Sequence, residues 1–282
     1  MWRLPLLILI AVVGCAPDQP AAYTVDHTDL ACGTREPSAT AKMAIEDQTV
    51  QMPHAHDKVA PGAVIDIYVH VMSSGAGRDN GEVPLTDIDE QFDVLQAAYA
   101  PMGYTFRVAG IDRTTNPNWF LMTPGSPAEK AAKAALHRGG ASALNIYTAD
   151  AGTNIAGYAT YPVDYTSAPY LDGVVILHST LPNGSSAPFN EGDQLVHQVG
   201  HWLGLYHTYQ ATCADLDGDL VSDTPATNAP AYGCPMGRNS CGGGGDDPVQ
   251  NYMDAADDQC MDSFTDGQRS RIDAQFTAYR RF

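Results

Sequence analysis

Three histidines and a glycine between His197 and His207 have the spacing of a metal site, in the stretch HQVGHWLGLYH. Residues four apart lie one turn apart on the same face of a helix, so His197 and His201 can reach one ion. Gly204 can adopt the left-handed conformation that ends a helix, which would bring His207 round as a third ligand. Three neutral imidazoles leave a fourth position open for water, as at a catalytic zinc ion. The spacing therefore predicts a three-histidine zinc site.

Strand signals alternate with helix signals upstream of this motif. Runs rich in β-branched residues predict five strands, AVIDIYVHVM, YTFRVAGI, ALNIYT, GYATYP and DGVVILHS. Such alternation predicts an α/β (α+β) domain in which helices cover a mixed sheet.

Four helices are expected from apolar spacing and capping residues. The first is capped by Thr86, the second by Ser126, and the helix of the histidine motif by Asn190. The last, TDGQRSRIDAQFTAYRRF, is capped by Thr265 and Gln268. The apolar stripe of the first helix is Leu85, Ile88, Phe92, Leu95 and Tyr99.

The opening stretch MWRLPLLILIAVVGC, residues 1–15, is typical of an export signal. Its apolar run is too short to span about 30 Å of hydrocarbon as a helix. It ends in VVGC, which resembles the bacterial lipobox, so Cys15 is the expected lipid attachment site and membrane anchor. An ordinary signal peptide with an incidental cysteine is the alternative. We expect an exported protein, either a bacterial cell-envelope lipoprotein or a secreted protein.

Residues 16–61 are polar and carry few large apolar side chains, which predicts a pro-segment or tether ahead of a folded domain at 62–282. The formal net charge of −18 disfavours nucleic acid as a partner, because binding it requires cationic side chains against phosphates. We expect a monomer whose partners are peptides or proteins.

The stretch from Ala211 to about Phe264 is irregular and rich in Gly, Asp, Cys and Pro, and such a long loop needs cross-links or bound metal. In an oxidising compartment its four cysteines form two disulfides, and three pairings are open. With Cys15 lipidated, Cys32 is then left as a solitary thiol, either free or bonded to another molecule. The four cysteines are Cys213, Cys234, Cys241 and Cys260.

The same stretch contains DLDGDLVSDT, a dense run of oxygen-bearing side chains. Oxygen ligands at this density suit calcium, and an acidic solvated loop is the alternative. The candidate calcium ligands are Asp215, Asp217, Asp219, Asp223 and Thr224.

The last third of the chain resembles the pappalysin family of metzincin zinc proteases, especially its secreted bacterial and fungal cytophagalysin-like members. The matching text is NEGDQLVHQVGHWLGLYHTY, DTPATNAPAYGCPMGRNSC and DPVQNYMDAADDQCMDSFTDGQ, and the likeness is looser over residues 62–189. The resemblance implies a metzincin-like zincin with a twisted mixed sheet and an active-site helix over about 190–203. It also implies an irregular C-terminal subdomain that disulfides and calcium stabilise and that ends in a helix.

The resemblance further implies roles for single residues. Met253, in NYMD, would form the Met-turn beneath the zinc ligands. The stretch ACGTREP resembles the motif by which some pappalysins stay latent, so Cys32 would occupy the open zinc position. The implied disulfides are Cys213 with Cys241 and Cys234 with Cys260.

The motif departs from the HExxHxxGxxH pattern of the clan at Gln198, where relatives carry the general-base glutamate. Gln198 has no carboxylate to take a proton from zinc-bound water. Gln250 and Ala255 stand where relatives commonly carry a histidine and a tyrosine. Three changes near one site favour natural loss of catalysis over an engineered exchange at Gln198.

Two functions follow from these features. One is an exported zinc metalloendopeptidase, latent through Cys32, whose peptide hydrolysis is impaired by Gln198. The other is a zinc-binding pseudoprotease of the cell envelope that holds peptides without cutting them. A third, structural lipoprotein would use its metals for stability alone.

Overall fold

The fold is built on one six-stranded sheet, seen in a computed structural model that describes residues 30–52, 63–210, 213, 218–242 and 245–281. The strand order is β1-β5-β6-β4-β2-β3, and every pairing is parallel except that of β5 with β6. The mixed α/β architecture is therefore as predicted. The strands are β1 (Ala31–Cys32), β2 (Val64–Ser73), β3 (Thr105–Thr115), β4 (Ala143–Ala149), β5 (Ile155–Ala159) and β6 (Val174–Leu177).

Six α-helices occur in the described part of the chain, and no helix there is long and apolar enough to cross a bilayer. Two of them, α1 and the short α3, had no sequence signal. The helices are α1 (Ala39–Gln51), α2 (Leu85–Tyr99), α3 (Pro117–Phe120), α4 (Pro127–Leu136), α5 (Asp193–Trp202) and α6 (Asp266–Tyr279).

The polar segment ahead of the domain is more ordered than predicted. Leu30 lies in an apolar cluster, Cys32 ends a strand, and α1 packs on α6. The sequence ATAKMAIEDQTVQ of α1 has no apolar stripe that would indicate a helix. Contacts with the rest of the molecule, rather than an apolar face, hold this helix in place.

Of the four predicted helix caps, two are confirmed and two are wrong. The Ser126 hydroxyl accepts a hydrogen bond from the Glu129 amide, and Thr265 forms a capping box with Gln268. Thr86 lies inside α2, because Pro84 provides the extended entry into that helix. Leu85 is 52% exposed, so the first position of the predicted apolar stripe faces solvent.

The start of α5 also differs from the prediction. Gly192, with φ of 104°, precedes the helix, whereas the Asn190 side chain donates to the Gly184 carbonyl. The buried Asp258 carboxylate instead accepts hydrogen bonds from the Glu191 amide and the Gln194 side chain at 2.9 Å each. A carboxylate at this helix end replaces the predicted asparagine cap. Burial raises the pKa of Asp258 to about 6.

Strand β6, inside the sheet, is buried on both of its faces. Val174 and Ile176 pack in the cluster that contains the apolar residues of α2, α5 and α6. Val175 and Leu177 pack in the cluster that contains Ala132 of α4. Burial on both faces explains why the strand is a continuous apolar run.

A buried ion pair joins Arg280, just after α6, to Asp172 in the turn before β6. The Arg280 guanidinium contacts both carboxylate oxygens of Asp172, at 2.9 and 3.1 Å, and both side chains are fully buried. The Arg280 Nε donates to the Trp202 carbonyl, and the guanidinium carbon of Arg280 lies 3.7 Å from the centroid of the Trp202 ring. Arg280 therefore fixes the end of α5 from which the histidine segment continues.

Replacing this arginine is expected to destabilise the fold strongly. Arg280→Leu leaves the buried Asp172 carboxylate without its countercharge, which costs about 3–5 kcal/mol of unfolding free energy. Arg107→Leu is the control, because Arg107 pairs with Asp66 on the surface, where such a pair contributes about 1 kcal/mol or less. Urea unfolding of both variants measures the difference, and equal losses would contradict the role given to Arg280.

Candidate metal centre

The three histidines of the motif converge on one point. His197 and His201 project from one face of α5, and Gly204, with φ of 103°, turns the chain so that His207 returns to them. The Nε2 atom of His201 lies 3.1 Å from that of His197 and 3.0 Å from that of His207, and the third separation is 3.1 Å. All three side chains are buried.

Hydrogen-bond acceptors at the opposite ring nitrogens set the tautomers. Nδ1 of His197 lies 2.7 Å from the Tyr252 carbonyl oxygen, and Nδ1 of His201 lies 2.8 Å from that of Leu205. Nδ1 of His207 lies 3.1 Å from the Glu36 carboxylate. A carbonyl or carboxylate can only accept, so each Nδ1 carries the proton and each Nε2 presents a lone pair.

This donor set fits a zinc ion. Nitrogens bound tetrahedrally at about 2.0–2.1 Å from zinc lie roughly 3.3–3.4 Å apart, close to the separations here. Three lone pairs this close repel one another unless a cation lies between them. Among the described residues, the cluster with metal-ligand spacing consists of these histidines and Cys32, whose donor atoms all lie within 4.8 Å of one another.

Met253 lies beneath the histidine helix. It is fully buried, and its carbonyl accepts a hydrogen bond from the Thr208 amide just after the third histidine. A Cβ on Gly200 would lie 2.4 Å from the Met253 sulfur, so the turn can approach α5 only because residue 200 is glycine. The next residue upstream, Tyr252, supplies the acceptor for His197.

Cys32 faces the histidines from the end of strand β1. Its sulfur lies 3.5 Å from Nε2 of His201, near the separation expected of two ligands on one zinc ion. Burial alone would raise the pKa of Cys32, but the three histidines lower it well below the ordinary value of a thiol. In its thiolate form this sulfur would be a strong ligand for a cation.

Strand β1 delivers this cysteine along the edge of the sheet. It pairs in parallel with β5, and the Gly33 amide donates to the Gly157 carbonyl at 2.8 Å. A Cβ on Gly33 would lie 2.8 Å from the Ile155 side chain, so glycine permits the close approach. The Thr34 hydroxyl accepts from the Ala159 amide at 3.0 Å, which completes the pairing.

Gln198 is fully buried between Thr34 and Cys32. Its carbonyl oxygen accepts a hydrogen bond from the Thr34 hydroxyl at 2.8 Å, and its amide nitrogen donates to the Cys32 sulfur at 3.2 Å. The amide thus holds the cysteine in place and has no group that can accept a proton from water.

The other two departures lie in different surroundings. Ala255 lines a cavity of about 20 Å³ beside Cys32 and His197. Gln250 is exposed, and its amide donates to the Asp262 carboxylate at 2.9 Å.

Two disulfides cross-link the irregular C-terminal stretch, Cys213–Cys241 and Cys234–Cys260. These are the pairings that the family resemblance implies. Cys32 is a free thiol, and Cys15 lies outside the described residues.

The acidic loop is described only in part, because Asp215 and Asp217 lie outside the described residues. Asp219 accepts hydrogen bonds from the Thr224 hydroxyl and the Val221 amide. Asp223 accepts from the first turn of α6. In the described part of the loop, both of these carboxylates thus have protein partners.

Several residues around the histidines had no individual signal in the sequence. Thr34 and Glu36 belong to ACGTREP, the stretch that singled out Cys32, but the resemblance assigned a role to the cysteine alone. Two tyrosine rings also pack on the ligands: Tyr209 stacks on His207 at a centroid separation of 4.6 Å, and Tyr161 contacts His201 edge-on at 5.6 Å.

Comparison with known proteins gives a consistent result. Residues 141–277 match the peptidase M43 family model, described as pregnancy-associated plasma protein-A. An extracellular metalloprotease of Colletotrichum graminicola is 42% identical over 270 residues, which cover 92% of this chain and 95% of the relative. One from Pyricularia oryzae is 39% identical and covers 94% of each chain.

Solved structures agree in fold. Mirolysin in complex with a compound is 25% identical, with a TM-score of 0.66 over 77% of this chain and 92% of that chain. A promirolysin mutant from Tannerella forsythia superposes with a TM-score of 0.69 over 85% of this chain and 88% of that chain at 24% identity, a likeness of fold alone. The length and identity of the match to the fungal enzymes show that the chain belongs to the peptidase M43 (pappalysin) family of metalloproteases.

Proposed function

We propose that this chain is an exported zinc metalloendopeptidase of the pappalysin type. In this proposal Cys32 blocks the metal site, and Gln198 impairs peptide hydrolysis. The observation that carries the proposal is the position of both side chains at the three-histidine centre. The Cys32 sulfur faces the imidazole nitrogens, and the Gln198 amide donates to that sulfur.

The zinc ligands are proposed to be His197, His201 and His207, with the Cys32 thiolate as the fourth. A bound zinc ion supplies a Lewis acid that polarises a carbonyl and acidifies water. As a ligand, the Cys32 sulfur would take the place that water needs for hydrolysis. Residues 16–61 therefore act as a latency segment ahead of a catalytic domain at 62–282.

The same segment blocks the edge of the sheet. Strand β1 uses the hydrogen-bonding groups of β5 at the edge nearest the histidines. An extended peptide can bind to a sheet edge by adding a strand, so departure of β1 frees both the edge and the metal position. Peptide or protein substrates are the partners that this geometry suits.

Gln198 occupies the position of the general-base glutamate of the family. An amide can orient water but cannot take its proton, and loss of a general base costs about 10²–10⁴ in rate. Zinc binding should persist, because Gln198 is not among the proposed ligands. Ala255 adds to the loss, because it has no hydroxyl to donate toward a developing oxyanion.

The alternative function is a zinc-loaded pseudoprotease that binds peptides at the cell envelope. The amide of Gln198 and the small side chain of Ala255 favour it, because both lack the groups that would assist hydrolysis. Cleavage by the chain freed of its latency segment separates the two functions.

Export is supported by relatives that are named extracellular metalloproteases. We further propose that Cys15 is lipidated and anchors the mature chain to a membrane. The mass of the mature N-terminal peptide tests this, and a peptide that begins elsewhere without lipid would refute the anchor.

Structural calcium in the loop of residues 215–224 is also part of the proposal. Asp219 is buried, and burial raises its pKa to about 6, so a cation nearby would favour its charged form. Calcium should raise the thermal midpoint of unfolding above its value in chelator, and Asp219→Asn should reduce this difference. Equal midpoints with and without calcium would remove calcium from the proposal.

Bound zinc is expected to protect Cys32 from alkylation. The full chain should contain about one zinc ion, and Cys32 should react at least about tenfold faster with an alkylating reagent once the metal is chelated, because a metal-bound thiolate is not free to attack. Peptide mapping of the alkylated protein measures the reaction, and Cys32→Ser controls for labelling elsewhere. A rate that does not change on chelation would place the thiol outside the metal site.

Restoring the carboxylate is expected to restore hydrolysis. In protein freed of residues 16–61, Gln198→Glu should cleave a broad peptide library about 10²–10⁴ times faster than the unmodified chain, because a general base is regained. Gln198→Ala is the matched control, since it changes the same position without supplying a base.

Equal turnover by the unmodified chain and Gln198→Glu, abolished in both by a chelator, would contradict impairment by Gln198. No turnover by either would favour the binding function and point to Ala255.

A further inference from the structure

One metal-binding histidine is oriented by the latency segment and not by the domain itself. His197 and His201 direct their Nδ1 atoms at backbone carbonyls of Tyr252 and Leu205, which belong to the domain. His207 directs its Nδ1 at the carboxylate of Glu36, four residues after Cys32, at 3.1 Å. The segment thus contacts the centre twice, at the open metal position and behind one ligand.

We propose that Glu36 is a positioning residue for the metal, through which the latency segment tightens the binding of zinc by His207. This inference rests on the proposed function, because it takes the three histidines to be zinc ligands. It predicts that the chain with its latency segment bound holds zinc more tightly than the Cys32 contact alone would explain. Release of the segment should then weaken zinc binding twice, by loss of Cys32 and by loss of Glu36.

The chemistry of the contact supports this role. A carboxylate that accepts the Nδ1 proton fixes the imidazole tautomer and raises the basicity of the bound nitrogen. Charge acts in the same direction, because a thiolate and a carboxylate together balance the two positive charges of zinc. Both negative groups, Cys32 and Glu36, are carried by the segment that is proposed to leave.

Glu36 is held in place from both sides along the chain. Upstream, β1 is bonded to β5; downstream, α1 is attached to the domain at several points. Glu46 contacts Arg271 of α6 at 2.7 Å, the Lys42 amine donates to the Gly218 carbonyl, and Thr49 contacts Tyr279. These contacts fix the short connection that carries Glu36, so its carboxylate reaches His207 in a defined position.

The domain contains a weaker replacement for the carboxylate. The side-chain nitrogen of Gln210 lies 3.1 Å from Nδ1 of His207, and its buried carbonyl oxygen has no hydrogen-bond partner within the described residues. Rotation of this amide by half a turn would give Nδ1 a neutral acceptor. We therefore expect Gln210 to take over from Glu36 when the segment leaves, without the negative charge.

Zinc affinity of the full chain tests the role of Glu36. Competition with a chromophoric chelator should show a zinc affinity about 10–100-fold lower in Glu36→Gln than in the unmodified chain, as for other groups that orient metal-bound histidines. Glu46→Gln is the matched control, because it removes a carboxylate of the same segment that contacts Arg271 and not a histidine. Its affinity should stay close to that of the unmodified chain.

Substitution of cobalt for zinc distinguishes a role of Glu36 in positioning His207 from a loss of Cys32 binding. The sulfur-to-cobalt charge-transfer band should persist in Glu36→Gln, which would show that Cys32 still binds while affinity falls. Loss of this band, or an equal loss of affinity in Glu46→Gln, would overturn the inference, since Glu36 would then act only by docking the segment. Unchanged affinity in Glu36→Gln would also overturn it. An unmodified chain that binds no zinc would instead refute the proposed function.

Discussion

The mutual approach of three imidazole nitrogens is the constraint on which the rest of the site depends. Bare nitrogens about 3 Å apart repel, so the arrangement persists only if each ring is held from behind and a cation is bound in front. The rings are held by acceptors from Tyr252, from Leu205 just after α5 and from Glu36 in the segment ahead of the domain. Buried charges fix the helix itself, with Asp258 at its start and Arg280 at its end.

The segment ahead of the domain is held by several small interactions rather than one large one. Strand β1 has two residues, and α1 has no apolar face, so neither would form a stable structure alone. Their connection makes each contact intramolecular once the other has formed, which raises its effective concentration. A cut within the connection would remove this advantage.

Local signals in the sequence were sufficient for the features that depend on local chemistry. Helical spacing and one glycine predicted the approach of His197, His201 and His207, and β-branched runs located five strands. The features missed are those decided by tertiary contact. No local pattern indicates that Asp258, distant in the chain, would cap α5 in place of Asn190. The same holds for α1 and for Glu36, since polar residues gain a fold only from the surface they meet.

The Gln198 amide interacts with the Cys32 sulfur in a way that an ionised carboxylate could not. Beside a thiolate, a glutamate would have to be protonated or would repel the sulfur, because two negative charges would then share one buried site. The amide needs no proton, and its nitrogen donates to the sulfur while its oxygen accepts from Thr34. A hydrogen bond to a charged group contributes about 1.5–3 kcal/mol, so under the proposed function Gln198 would also favour the form in which Cys32 contacts the histidines. Under the proposed function, impaired hydrolysis and firmer latency would have one physical origin, a neutral donor where the family carries an acid.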